Sequence, residues 1–142
     1  MTVRAILDAK GRQVVSIGAD AKVSSAVKIL SERRIGAVLV LAGGKIDGII
    51  SERDIVRELG ARGPGILEEP VRAVMTTKVM TCRRNDTVAS LMEKMTEGKF
   101  RHLPVVEDGQ LIGLISIGDV VKLRVQEYES EQEAMLDYIK TA

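Results

Sequence analysis

Two serine–aspartate pairs are the residues of this chain whose types and spacing suggest a defined chemistry. Ser51 and Asp54 lie in the stretch GIISERDIV, and Ser116 and Asp119 lie in GLISIGDVV, 65 positions further along. In both stretches the serine follows a short aliphatic run and the aspartate follows the serine by three positions. This spacing is typical of a helix N-terminus, where the serine accepts a hydrogen bond from an exposed N–H group and the acid returns one. The pairs therefore predict two capped helices.

The same geometry can also bind a ligand. A carboxylate in the first turn of a helix can accept hydrogen bonds from two vicinal hydroxyl groups, which is what a ribose presents. The serine hydroxyl and the partial positive charge of the helix N-terminus favour a phosphate nearby. Capping and ligand binding do not exclude each other. Because the pair occurs twice, we favour a binding role in addition to the cap.

The elements that must position these pairs are repeated as well. Residues 23–56 match residues 88–121 at an offset of 65, and VRAIL matches VRAVM at an offset of 68. Each copy follows the pattern β-α-β-β-α, so we expect the two halves to pack about a pseudo-twofold axis. The expected elements are strands at 14–17 and 79–82, amphipathic helices from Val23 and Val88 with the second ending at Gly98, hairpins turned at 43–44 and 108–109, and helices from 55 and 120.

Composition argues against several classes of protein. The 142 residues are 45% hydrophobic and 29% charged, with a formal net charge of +1, which is typical of a globular protein without a nucleic-acid footprint. The chain starts without a signal peptide and has no membrane-spanning run, so we expect a cytoplasmic protein. With a single cysteine (Cys82) and a single histidine we expect no metal site. No nucleophile–base pair is evident, so we expect neither an enzyme nor a catalytic cofactor.

Taken together, the paired β-α-β-β-α units, the two G-h-h-[ST]-x-x-D-h-h motifs and the stretch FRHLPVVEDGQLIG resemble tandem cystathionine β-synthase (CBS) domains, also called a Bateman module. The resemblance implies an α+β fold in which two CBS repeats pack through their sheets and leave two clefts, each able to hold an adenine nucleotide. The expected divisions are a first repeat with an N-terminal helix (1–60), a linker (61–70), a second repeat (71–126) and a C-terminal helix (127–142).

The resemblance also implies roles for individual residues. It assigns the ribose to Asp54 and Asp119, and it places Ser51 and Ser116 near the ribose or phosphate. The other ligand-binding candidates are basic residues for phosphate (Lys99, Arg101, His102, Arg34, Arg53), and Ile17 and Ile115 beside the adenine. Pro104 is a further candidate, since it marks an edge or a place where something other than a strand approaches. The alternative for the basic residues is a solvated polar edge, and for the isoleucines it is plain core. The second repeat is richer in phosphate-facing groups, so we expect unequal clefts.

We therefore interpret the chain as a non-catalytic regulatory module. It would bind adenosine nucleotides (AMP, ADP or ATP, or NAD(H)) and signal their presence to a partner protein in trans. The alternative is a scaffold for oligomerisation or partner binding with degenerate clefts; the two aspartates favour the sensor, since a cap alone would accept Asn or Ser. A capping box at Ser130 and Glu133 predicts a further helix in the tail, which we expect to extend a homodimer interface.

Overall fold

The computed structural model describes residues 1–141, which form an α+β fold of five helices, five strands and two 3-10 turns. The helices are α1 (Val3–Lys10), α2 (Val23–Arg33), α3 (Glu52–Arg62), α4 (Val88–Gly98) and α5 (Ile117–Thr141). The strands are β1 (Ser16–Ile17), β2 (Ala37–Ala42), β3 (Lys45–Ser51), β4 (His102–Glu107) and β5 (Gln110–Ser116). The 3-10 turns are Pro64–Glu68 and Val71–Ala73. None of the helices in this part of the chain combines the length and apolarity that a bilayer crossing requires.

The chain divides into two compact units that do not follow the order of the repeats. One unit is Gln13–Met80, and the other combines Met1–Arg12 with the segment from Thr81 onward. We expected the N-terminal helix to belong to the first repeat, but α1 lies with the second. The reason is packing, because Val3, Ile6 and Leu7 of α1 are buried in the hydrophobic core of that unit.

The unit Gln13–Met80 contains a three-stranded sheet in the order β1-β2-β3. β1 is parallel to β2, and β2 is antiparallel to β3. The β2–β3 hairpin turns at Gly43 and Gly44, whose φ values of 57° and 80° suit a two-residue hairpin turn and favour glycine. Val23, Ala26 and Leu30 of α2 are buried in the core of this unit. The predicted hairpin and helix are confirmed.

The second unit contains the β4–β5 hairpin, which turns at Asp108 and Gly109 with φ values of 49° and 75°. The strand expected at 79–82 is wrong, since only Cys82 reaches the sheet, through an isolated parallel bridge to Val105. The Cys82 N–H donates to the Pro104 carbonyl at 2.9 Å. Before this point the chain turns, with the Val79 N–H bonded to the Thr77 carbonyl at 3.1 Å. It therefore does not run along β4 for long enough to form a strand.

One helix end agrees with expectation and another differs. α4 ends at Gly98, as predicted, and the left-handed residue that follows it is Lys99 (φ 56°). In the tail, α5 runs unbroken from Ile117 to Thr141, so Ser130 lies inside a helix and the expected capping box does not start a new one. The expected linker is partly ordered as well, because Ile66 in the first 3-10 turn is 1% exposed.

Candidate functional site

Ser51 ends β3 and caps α3 through a reciprocal pair of hydrogen bonds. The Asp54 N–H donates to the Ser51 hydroxyl at 3.2 Å, and the Ser51 N–H donates to Oδ2 of Asp54 at 2.9 Å. The hydroxyl of Ser51 in turn donates to the same Oδ2 at 3.0 Å. This is the capping box that the sequence predicts, and it directs Oδ2 of the aspartate toward the backbone.

The second oxygen of Asp54 is also occupied. Oδ1 accepts from Nη2 of Arg57 at 3.0 Å and from the Thr76 hydroxyl at 3.3 Å. The Asp54 side chain is 8% exposed, whereas that of Arg57 is 62% exposed. The ion pair therefore joins a buried carboxylate to a side chain in solvent. Such an ion pair is weak, so another donor to the carboxylate can displace the arginine.

Ser116 and Asp119 repeat the capping geometry at the start of α5. The Ser116 N–H donates to Oδ2 of Asp119 at 2.9 Å, and the Asp119 N–H donates to the Ser116 hydroxyl at 3.3 Å. The Ser116 hydroxyl donates to Oδ2 at 3.1 Å. A third donor, Nζ of Lys10 at the end of α1, reaches Oδ2 at 2.6 Å and also the Leu114 carbonyl at 2.8 Å. All of these donors to the carboxylate converge on one of its two oxygens.

The charge state of Asp119 follows from these partners. Partial burial alone would raise the pKa of the carboxyl group, since it disfavours the charged form. The ammonium of Lys10 and the two donors of Ser116 outweigh burial and hold the pKa of Asp119 below its ordinary value. The side chain is 26% exposed. Asp119 is therefore an ionised acceptor at neutral pH that ligands in solvent can reach.

A groove beside Asp119 runs between α1 and α5. Its volume is about 160 Å³. It is lined by Ala5, Ile6, Ala9, Lys10, Asp119, Lys122, Leu123 and Gln126. Its lining combines apolar side chains with two ammonium groups and one carboxylate, so the ion pair of Lys10 and Asp119 forms part of a concave surface.

The segment before each hairpin comes close to the motif of its own repeat. The N–H of Glu52, the first residue of α3, donates to the Gly36 carbonyl at 3.0 Å, and the N–H of Ile117, the first residue of α5, donates to the Arg101 carbonyl at 2.8 Å. His102 is the register partner of Ser116. The structure thus places Arg101 and His102 beside the second motif, as their positions in the sequence suggest. Their contact with phosphate stays a prediction.

The other candidates occupy different kinds of position. Arg34 and Lys99 are the left-handed residues that follow α2 and α4, and Arg53 is exposed in the first turn of α3. Pro104 is buried in β4, on the side of the strand that receives the Cys82 N–H. Ile17 is half-buried in β1.

Ile115 is 0% exposed and packs in the core of its unit. Its position fits the plain-core alternative, and its contact with adenine stays a prediction.

Two partners of the aspartates are not among the candidates from sequence. Lys10 pairs with a residue 109 positions away and Thr76 with one 22 positions away, so neither contact has a local signal. Arg57, in the helix after the first motif, is a further basic candidate from the sequence, and the structure pairs it with Asp54 three positions before it.

Comparison with known proteins identifies the repeats. The family model described as CBS domain matches residues 3–61 and 71–126. The CBS domain-containing protein CBSX3, mitochondrial, of Arabidopsis thaliana is 35% identical over 126 residues, a match that covers 85% of this chain. The chain spans 61% of the length of that plant relative.

Solved structures agree. The CBS-domain containing protein of Agrobacterium tumefaciens is 46% identical, with a TM-score of 0.85 over 87% of this chain and 99% of that protein. A CBS domain protein of Pyrobaculum aerophilum complexed with AMP is 28% identical, with a TM-score of 0.73 over 84% of this chain and 89% of that protein.

Proposed function

The chain belongs to the CBS domain family. From this membership, and from the aspartates in the two helix-capping motifs, we propose that it is a regulatory module that binds adenosine nucleotides. AMP is the first ligand we would test, followed by ADP, ATP and NAD(H). The relative from Pyrobaculum aerophilum, described as complexed with AMP, supports this choice. In this proposal the module is not catalytic and signals nucleotide binding to a partner protein in trans.

The observation that carries the proposal is that the two oxygens of the Asp119 carboxylate differ in their hydrogen-bond partners. Oδ2 alone serves the cap, through the Ser116 N–H and hydroxyl. In the part of the chain that the structure describes, no donor reaches Oδ1. A carboxylate oxygen has two lone pairs and so can accept from both hydroxyls of a ribose. A residue that served only as a cap would not need this second oxygen.

The positive groups near the motifs support a phosphate on the same ligand. The N-terminus of α5 carries partial positive charge. The Arg101 carbonyl accepts from the Ile117 N–H there, and His102 is the register partner of Ser116. Arginine matches a phosphate with two parallel N–H donors. These residues would hold the phosphate while Asp119 holds the ribose.

We also propose that the protein is a homodimer that uses α5. Beyond the core of its unit, this helix exposes Met135, Leu136, Tyr138 and Ile139, whose side chains are 54–72% exposed. An exposed apolar patch of this kind is typical of a surface that binds protein.

Calorimetry on protein stripped of ligand tests nucleotide binding. We expect binding of AMP or of another adenosine nucleotide, and weaker binding of the matching guanosine nucleotide. The absence of heat with AMP, ATP, NADH and S-adenosylmethionine would overturn the proposal. It would favour the alternative, in which the module is a scaffold that binds only other proteins.

A further inference from the structure

Lys10 is the charged residue whose contacts most directly shape the Asp119 site. Its ammonium group donates to Oδ2 of Asp119 at 2.6 Å and to the Leu114 carbonyl at 2.8 Å. These bonds tie the last residue of α1 to β5 and to the first turn of α5 at the same point. The side chain of Lys10 is 37% exposed, so this ion pair is open to solvent on one side and its role is to position the carboxylate.

The equivalent aspartate of the first repeat has a different set of partners. Oδ1 of Asp54 accepts from Arg57 and from Thr76. A hydroxyl group of a ligand must therefore displace these donors or share the oxygen with them. At Asp119 the cation is bonded to Oδ2 instead. Among residues 1–141, nothing competes for Oδ1 of Asp119.

We propose that Lys10 is a positioning residue for the Asp119 carboxylate. It makes the Asp119 site the ligand-ready one of the two, by which we mean the site whose acceptor oxygen is already oriented and has no other donor to displace. This inference rests on the proposed function, since the group that would bind to Oδ1 is the ribose of an adenosine nucleotide. Lys10 acts through Asp119 and does not itself touch the ribose. Lys78 is the lysine at the equivalent position for the first repeat, but among residues 1–141 it forms no ion pair with Asp54, whose cation is Arg57. We therefore expect the two sites to be unequal in affinity.

The physical argument has two parts. Three donors on Oδ2 fix the orientation of the carboxylate, so binding does not have to order this side chain. The ammonium also lowers the pKa of the carboxyl group, so the ionised form, which makes hydrogen bonds about twice as strong as a neutral acceptor, persists to lower pH. Lys10 from α1 and Lys122 from α5 line the groove with Asp119, and Arg101 and His102 lie beside its motif. Of the two lysines, Lys10 forms an ion pair with the carboxylate.

The experiment measures AMP binding by calorimetry in two backgrounds that each leave one motif. With Asp54→Ala only the Asp119 site remains, and with Asp119→Ala only the Asp54 site remains. We expect tighter binding in the Asp54→Ala background. Adding Lys10→Met to that background should weaken binding by roughly tenfold, because the carboxylate loses its counter-ion and one of its fixed donors. Lys10→Arg should restore part of the loss.

Lys122→Met is the matched control, because it removes an ammonium from the same groove and leaves the bond to Asp119 in place. It should change AMP binding by less than about threefold, as expected for a solvated charge. A pH series separates positioning from a general structural defect. The ionised form of Asp119 binds, so affinity falls as the pH drops through its pKa. Lys10→Met should move that fall to higher pH, because the ammonium that lowers the pKa of Asp119 is removed.

The outcomes distinguish this inference from the proposed function. If the wild type binds no adenosine nucleotide, both are overturned. If the wild type binds but Lys10→Met matches Lys122→Met in affinity and in pH profile, only the role of Lys10 is overturned. Equal or tighter binding at the Asp54 site would likewise contradict the ligand-ready assignment. Carboxyl-carbon NMR gives a measurement without ligand, in which the titration of Asp119 must move to higher pH in Lys10→Met.

Discussion

The side chain of Leu7 lies directly against the Cα of Gly113, where an added Cβ would come within 2.5 Å of the Leu7 Cδ2 atom. Leu7 is in α1 and Gly113 is in β5, so this contact seats the N-terminal helix in the unit of the second repeat. The first repeat has the same arrangement, in which Met75 lies against Gly48 of β3. In each repeat a glycine in the last strand receives a side chain from the segment that precedes the other repeat.

Alanine at either glycine should therefore destabilise the fold. At Gly48 a Cβ would approach the Thr76 carbonyl oxygen at 2.7 Å, and backbone cannot move aside cheaply. At Gly113 it would meet the end of a side chain that is itself 1% exposed. We expect losses of about 1–3 kcal/mol in the free energy of unfolding, larger for Gly48→Ala.

Urea denaturation measures these losses, with Gly60→Ala as the control. Gly60 lies in α3 with nothing within 4 Å of an added Cβ, so alanine there should stabilise the helix by up to about 1 kcal/mol. A loss at Gly48 or Gly113 no larger than the change at Gly60 would show that these contacts do not constrain the packing.

The hairpins were predictable because their signals are local. Gly43-Gly44 and Asp108-Gly109 each supply the two consecutive positive φ values that a two-residue turn needs. The placement of α1 was not predictable, since it depends on the space that the missing side chain of Gly113 leaves, more than 100 positions away in the chain. The segment 79–82 has the apolar pattern of a strand, but only Cys82 finds a hydrogen-bonding partner in the sheet.

The candidate site was predictable in part for the same reason. Ser51 with Asp54, and Ser116 with Asp119, are three positions apart, so one helical turn fixes their contact. Lys10 and Thr76 come to the aspartates through the packing of distant segments. No spacing in the sequence reports such contacts.

Cys82 should be unreactive in the folded protein. Burial raises the pKa of its thiol to about 12, with a smaller contribution from the negative charge of Asp86. Because the thiolate is the reactive form, alkylation at pH 8 should be slow in native protein and fast in urea. Mass spectrometry after timed labelling with iodoacetamide measures both rates. Comparable rates in the two conditions would mean that the thiol is accessible.

The distal half of α5 should control the oligomeric state. Leu136 and Ile139 are 54% and 63% exposed, so the fold of one chain does not need them. We expect light scattering to give a dimer for the full chain and a shift toward monomer after truncation at Arg124. Leu136→Glu with Ile139→Glu should have the same effect at full length, whereas Glu131→Gln with Glu133→Gln should not. A full chain that is monomeric would contradict the proposed dimer.

Ribose recognition by Asp119 is tested most directly with AMP and 2′-deoxy-AMP. Both ligands are titrated by NMR against Asp54→Ala and against the same variant with Asp119→Ala. Asp119→Ala should weaken AMP binding by about 2–4 kcal/mol, on the order of 30- to 1,000-fold, because two hydrogen bonds to a charged acceptor are lost. Loss of the 2′-hydroxyl should weaken binding to Asp54→Ala but have little further effect once Asp119 is replaced. Equal losses from the 2′-deoxy change in both proteins would mean that the carboxylate does not touch the ribose and is only a helix cap.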